Sequence, residues 1–157
     1  MRMRKEIAAG VAFALGACAS GGGEPPPPAP LAGDREQPVL ALFEHVLTGH
    51  FAGAGASGPT TCARLSPDPL SAEQEQALIV RFVRLAPAER CVSAAQGTVD
   101  AITGGPAQVA QVYQFACQGP GLCSGWVATP GAPATRYAMR FEGGVWRFDS
   151  DRRIIAE

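Results

Sequence analysis

Few side chains in this 157-residue chain have types and spacing that could do chemistry. His45 and His50 are the only histidines, and so the only imidazoles available as base or metal ligand near neutral pH. Five helical positions subtend about 500°, so the two rings point some 140° apart and cannot clamp one ion from a straight helix. No His-Glu-x-x-His pattern is present, and each histidine reads most simply as a surface or boundary side chain. Asp100 falls within a short strand-like run, Thr98 to Ile102. Facing an interior hollow, its carboxylate could act as a general base with a raised pKa; facing water it would be an ordinary surface group. Asp100 and His45 are therefore the two pocket candidates. No residue is assigned a catalytic, cofactor-binding or metal-binding role. Arg136, Arg140 and Arg147 form a row that could take an anion. Glu142, Asp149 and Asp151 interleave that row, which reads as a solvated checkerboard of weak pairs.

Two short runs look like known fingerprints but sit in the wrong context. Gly53-Ala54-Gly55-Ala56-Ser57-Gly58 matches the dinucleotide-binding spacing, yet a helical pattern precedes it and Pro59 follows. Gly121-Leu122-Cys123-Ser124-Gly125 has the form of a hydrolase elbow, which needs a strand, a helix and a larger α/β scaffold around it. Absences exclude more. Lys5 is the only lysine and there is no asparagine, so a Walker-type phosphate site, a Schiff base and a Cys-His-Asn triad are ruled out. A net charge of -1 gives no footprint for nucleic acid.

The elements that must position these groups are read from periodicity. Val39, Leu40, Phe43, Val46, Leu47 and Phe51 recur at helical spacing, and the pattern stops in the run Gly53 to Pro59. Ser71-Ala72-Glu73-Gln74 fits a capping box, opening a second helix with Leu78, Ile79, Phe82 and Leu85 on one side and an end before Pro87. Beyond Cys91 the period becomes two. Val109, Gln111, Tyr113, Phe115 and Cys117 alternate with smaller groups, predicting a strand with its larger side chains on one face. Thr98 to Ile102 and Cys123 to Thr129 read as shorter strands.

The closing hairpin is the best determined element. With Gly143-Gly144 as a two-residue turn, Phe141 faces Trp146, Met139 faces Phe148, and Tyr137 joins the same side. On the other side Arg136 falls opposite Asp151 and Arg140 opposite Arg147. A one-residue slip would destroy this segregation.

The expected fold is α+β: two N-terminal helices packed on an antiparallel sheet of four to five strands, stapled by two disulfides. The element order and the Tyr-x-Met-x-Phe-x-Gly-Gly-x-Trp-x-Phe hairpin resemble small domains of the nuclear-transport-factor-two-like superfamily. That resemblance implies a cone whose curved sheet encloses a pocket, used for catalysis, small-ligand binding or dimerisation. No catalytic residue of the superfamily carries over, because no motif beyond the hairpin matches.

The N-terminus reads as an address. Arg2, Arg4 and Lys5 precede an uncharged run from Ile7 to Ala17, too short to span a bilayer but suited to a secretory signal. Leu15-Gly16-Ala17-Cys18 resembles the lipobox of bacterial lipoproteins, which implies cleavage after residue 17 and lipidation of Cys18. Ala17-Cys18-Ala19 also fits ordinary signal cleavage, which would release a soluble protein beginning at Ser20. Residues 19–38 hold four Gly and six Pro, a tether by composition. The division is then signal peptide 1–17, lipidated cysteine and tether 18–38, and one α+β domain 39–157. Without residues 1–17 the chain keeps 10 basic and 13 acidic groups, so lipid rather than a polybasic patch would hold it to a membrane. Ala19 after the cysteine implies, within the lipoprotein class, delivery to the outer membrane, facing the periplasm.

Setting Cys18 aside leaves Cys62, Cys91, Cys117 and Cys123, an even set suited to two disulfides in an oxidising compartment. Three pairings are possible. Cys117 ends one strand-like run and Cys123 begins the next, so a hairpin loop between them would bring the pair into disulfide range. Cys62 with Cys91 follows by elimination. Spacings of 29, 26 and 6 residues do not form the paired knuckles of a zinc site. The functional expectation is an envelope lipoprotein with a non-catalytic domain that binds a ligand or protein partner near the membrane. The rivals are a small enzyme with Asp100 or His45 in a cone-shaped pocket, and a structural component that self-associates.

Overall fold

A computed structural model describes residues 27–52 and 58–151. The signal segment, Cys18, most of the tether, the loop at 53–57 and the Asp151 side chain lie outside the described residues.

Helix α1, Pro38–Ala52, begins with a proline whose missing N–H costs nothing in a first turn. It buries Val39, Leu40, Leu42, Phe43, Val46 and Leu47. Strand β1, Thr60–Ser66, follows and was not anticipated. Helix α2, Ala72–Ile79, then starts on the expected capping box: Ser71 Oγ accepts from Gln74 N at 3.2 Å and Gln74 Oε1 from Ser71 N at 3.0 Å. It ends at Ile79, short of the predicted stop. Leu85–Ala86 is instead the two-residue strand β2, paired in parallel with β1.

Strands β3, Cys91–Ala94, and β4, Gly97–Asp100, form a separate hairpin. Strands β5, Ala107–Gly119, β6, Leu122–Ala128, β7, Thr135–Glu142, and β8, Val145–Asp151, make a meander. The main sheet has six strands in the order β2-β1-β5-β6-β7-β8. The fold is thus α+β, but the sheet is mixed rather than antiparallel, because β1 runs parallel to both β2 and β5. A strand also separates the two helices. The cause is that α2 serves as the crossover that parallel pairing of β1 and β2 requires.

The closing hairpin has the predicted register, with Phe141 opposite Trp146, Met139 opposite Phe148 and Arg140 opposite Arg147. Gly143 and Gly144, at φ 63° and 80°, supply the left-handed pair that a tight turn of this hand needs. Strand β5 departs from its predicted alternation. Ala110 and Val112 face the core while Gln111 and Tyr113 face outward, until a bulge at Gln114 turns Phe115 inward. The small residues lie inward in the first half because α1 brings Leu42, Phe43 and Leu47 down onto that face.

Side chains alternate between the sheet's two faces. Ala63, Leu85 and Ala110 join the main core under α1, whereas Cys62, Ala86 and Val109 join a small cluster with Cys91 on the opposite face. The β3–β4 hairpin caps that opposite face at the β1 end, and the Cys62–Cys91 disulfide fastens it there. Cys117–Cys123 links β5 to β6 at a Cα–Cα distance of 3.9 Å. Both pairings are as expected from the sequence.

Packing also begins upstream of residue 39. Leu31 is buried in the main core, and Ala32 N donates to Glu44 Oε2 at 3.1 Å. Arg81 then joins Glu44 at 3.0 Å and donates to the Ala29 carbonyl. Residues 29–35 are therefore a strap fixed to the domain rather than free tether.

Candidate functional site

Asp100 ends β4, directly opposite Cys91 in the hairpin register, and its side chain is fully buried. Arg90 grips it with two guanidinium nitrogens, Nε at 3.1 Å from Oδ1 and Nη2 on Oδ2. Ile102 N donates to Oδ1 at 2.9 Å, and the Thr60 hydroxyl to Oδ2 at 2.8 Å. The Arg90 hydrogen bond first, then the Ile102 N–H, hold the carboxyl well below the usual carboxylate range, against the opposing effect of burial. This corrects both expectations for Asp100. It neither faces water nor has the raised pKa of a general base; it is an ionised anchor joining β1, β4 and the turn before β3.

His45 lies on the exposed edge of α1, stacked on Phe148 at 4.3 Å and edge-on to Tyr137 at 5.7 Å. Partial burial lowers its pKa. It borders an open groove of about 420 Å³ with Ala32, Ala41, Glu44, Thr48, Gly49 and Phe148. Both carboxylate oxygens of Glu44 are already engaged by Ala32 and Arg81. The groove thus offers the His45 imidazole beside largely apolar walls, and the acid that lines it, Glu44, is already engaged. His45 packs against the β8 end of the sheet and Asp100 against β1, so the fold does not bring the two pocket candidates together.

His50 accepts at Nε2 from the Gln108 amide nitrogen at 3.0 Å, and the same nitrogen reaches Thr61 Oγ1 at 3.0 Å. That arrangement requires a neutral ring carrying its proton on Nδ1. Burial first, and then the charge of Arg84, push the His50 pKa down. Among the described residues no group of three or more His, Cys, Asp or Glu could hold a metal ion.

The outer face of the meander, away from α1, holds the remaining polar constellation. A hollow of about 360 Å³ is lined there by Gln118, Leu122, Ser124, Arg136, Arg140, Arg147 and Asp149. Arg140 and Arg147 are direct cross-strand neighbours. Like charges so placed repel, and the contact is favourable only when an anion lies between or beside them. Arg140 pairs with Glu142 at 3.5 Å, and both side chains are more than 60% exposed, at 63% and 62%. Such a pair is worth well under ~1 kcal/mol. Four residues along β7 from Arg140, Arg136 has Trp126 opposite it, and that ring stacks on Tyr113 at 6.1 Å with rings 15° apart. Leu122 is half exposed at the rim.

The arginine row was readable from the sequence, but its aromatic neighbour pair was not. The signal was the alternation Leu122, Ser124, Trp126 against Cys123, Gly125, Val127, whose second set is buried. No protein-family model, curated protein or solved structure matches the chain.

Proposed function

We propose that this protein is an exported envelope lipoprotein, anchored through Cys18, whose α+β domain is a non-catalytic binding module. Its binding surface is the outer face of the β5–β8 meander. The observation that carries the reading is the hollow lined by Arg136, Arg140 and Arg147, with the Tyr113–Trp126 stack beside its Arg136 end, on a sheet face that no helix covers among the described residues. Aromatic and arginine side chains are the groups that concentrate binding energy at recognition surfaces. The two disulfides suit the oxidising space outside the cytoplasm.

The enzyme reading loses its main residue, since Asp100 is locked by Arg90. The resemblance to nuclear-transport-factor-two-like domains fits a helix laid on a sheet, but here α1 fills the covered face with Leu42, Phe43 and Leu47. Binding is therefore assigned to the opposite face.

The test is photo-crosslinking in living cells, with a photoreactive residue at Ser124 in one strain and at Gln76, on the exposed part of α2, in another. A discrete adduct from position 124 that is lost in R140A/R147A, with none from position 76, supports the reading. Equal or absent crosslinking at position 124 contradicts it.

A further inference from the structure

The three parallel strands β1, β2 and β5 all begin at one pole of the domain. The segments that lead into them collect there: Val83 and Arg84 before β2, Gly58 and Pro59 before β1, and the turn 101–105 before β5. Hydrogen bonds tie these segments together: Thr61 N donates to the Arg84 carbonyl at 3.2 Å and the Thr60 hydroxyl to Asp100 at 2.8 Å. Five large apolar side chains are exposed among the described residues, and three belong to this pole: Val80 at 58%, Val83 at 101% and Ile102 at 74%. Between Val80 and Leu85 there is no carboxylate.

The strap points to the same pole. Arg35 reaches the Pro120 carbonyl in the β5–β6 turn at the far end, Ala32 meets Glu44 midway along α1, and Ala29 meets Arg81 just past α2. Followed backwards, the chain runs from the far pole toward that of Val80 and Val83, as far as the Arg81 guanidinium, which also holds Glu44. Cys18 is nine residue steps before Pro27, at most about 30 Å of chain.

We infer that the pole carrying Val80, Val83 and Ile102 rests on the lipid bilayer. The inference builds on the anchored reading above. Three aliphatic side chains bury too little area to hold a domain to a membrane alone, and the nearby cations of Arg81 and Arg90 are engaged by Glu44 and Asp100. With acyl chains already inserted at Cys18, contact becomes intramolecular and a weak patch suffices to orient the domain. The β5–β6 turn and the hollow beside Leu122 then stand away from the bilayer, across the 13 residues of β5, about 40 Å at strand rise.

The experiment uses the mature protein taken from bacterial membranes and reconstituted into phosphatidylethanolamine–phosphatidylglycerol vesicles with brominated acyl chains. Two variants, V83W and L122W, place an indole at either pole, Val83 being fully exposed and Leu122 half exposed. Emission is corrected for Trp126 and Trp146 with the unsubstituted protein. The introduced indole of V83W should enter the outer 5–10 Å of the bilayer, blue-shifted and quenched by bromine, roughly as interfacial side chains do. That of L122W should be unquenched. Absent quenching in V83W, or equal quenching in both, overturns the inference. The mass of the Cys18 peptide from the same sample reads the anchor separately. Quenching of V83W in a sample without acyl groups would remove the anchored reading and also overturn the inference that the patch is too weak to bind the bilayer by itself.

Discussion

Asp100, fully buried at the end of β4, is held by the guanidinium of Arg90, which lies one residue before the cysteine opposite it in the hairpin. Removing one partner of a buried pair leaves the other charge uncompensated. R90A is therefore expected to lower the thermal midpoint more than R136A or R147A, whose side chains are exposed. D100N should do likewise. The pair also sets an acid response. The folded-state pKa of Asp100 is depressed, so its stabilisation is complete above the unfolded value of about 4 and is lost as pH falls below it. Urea unfolding between pH 5 and 2 should show a steep loss in the parent that is reduced in R90A.

His50 gives a second pH dependence with the same sign. Its pKa is lowered in the fold, so the neutral ring stabilises the domain above about 6.5 and that contribution fades as pH falls through this value. NMR titration should find His50 with Nε2 unprotonated at neutral pH and an apparent pKa below that of a free imidazole. A value above it would contradict the Gln108 hydrogen bond as described.

The parts of this fold that were legible in the sequence share a local cause. The β7–β8 register follows from two residues, Gly143 and Gly144, and from apolar side chains all on one face. The α2 start follows from Ser71 and Gln74, three residues apart. Strand β1 was not legible because its main partner, β5, is about 47 positions away, as in the Thr60–Ala107 pairing, and parallel pairing leaves no turn signal. Leu31 sits in a Gly/Pro-rich stretch, where composition pointed to tether, yet one leucine is enough to seat the strap. The role of Asp100 depended on Arg90 across the β3–β4 hairpin, whose register no apolar pattern specified. The Tyr113–Trp126 stack required knowing that β5 bulges at Gln114.

The disulfides should differ in worth. In the chain-entropy account, closing the loop of separation 29 stabilises by about 3 to 4 kcal/mol and that of separation 6 by about 2 to 2.5 kcal/mol. Urea unfolding of C62S/C91S and C117S/C123S should rank them in that order. The first variant should also free the β3–β4 hairpin, read as faster amide exchange at Val92 and Val99.

Gly125 on β6 leaves no room for a side chain between Phe115 of the neighbouring strand and Leu42 of α1. A Cβ there would lie 2.9 Å from Phe115 Cδ2 and 3.5 Å from Leu42 Cδ2. G125A should cost about 1–3 kcal/mol by overpacking, and F115L in the same chain should recover part of it, since the shorter side chain relieves the clash. Additive losses in a double-mutant cycle would show that the contact is not the cause.

The central claim, an exported domain carried on lipid at Cys18 and closed by two disulfides, is tested most directly by intact mass. The mature protein is purified from bacterial membranes and weighed before and after reduction, beside a Cys18→Ala version. The account predicts a chain beginning at Cys18 with a diacyl or triacyl adduct, absent in Cys18→Ala, and a gain of four hydrogens on reduction, two for each disulfide. An unmodified chain beginning at Ser20, or no mass gain on reduction, would contradict it.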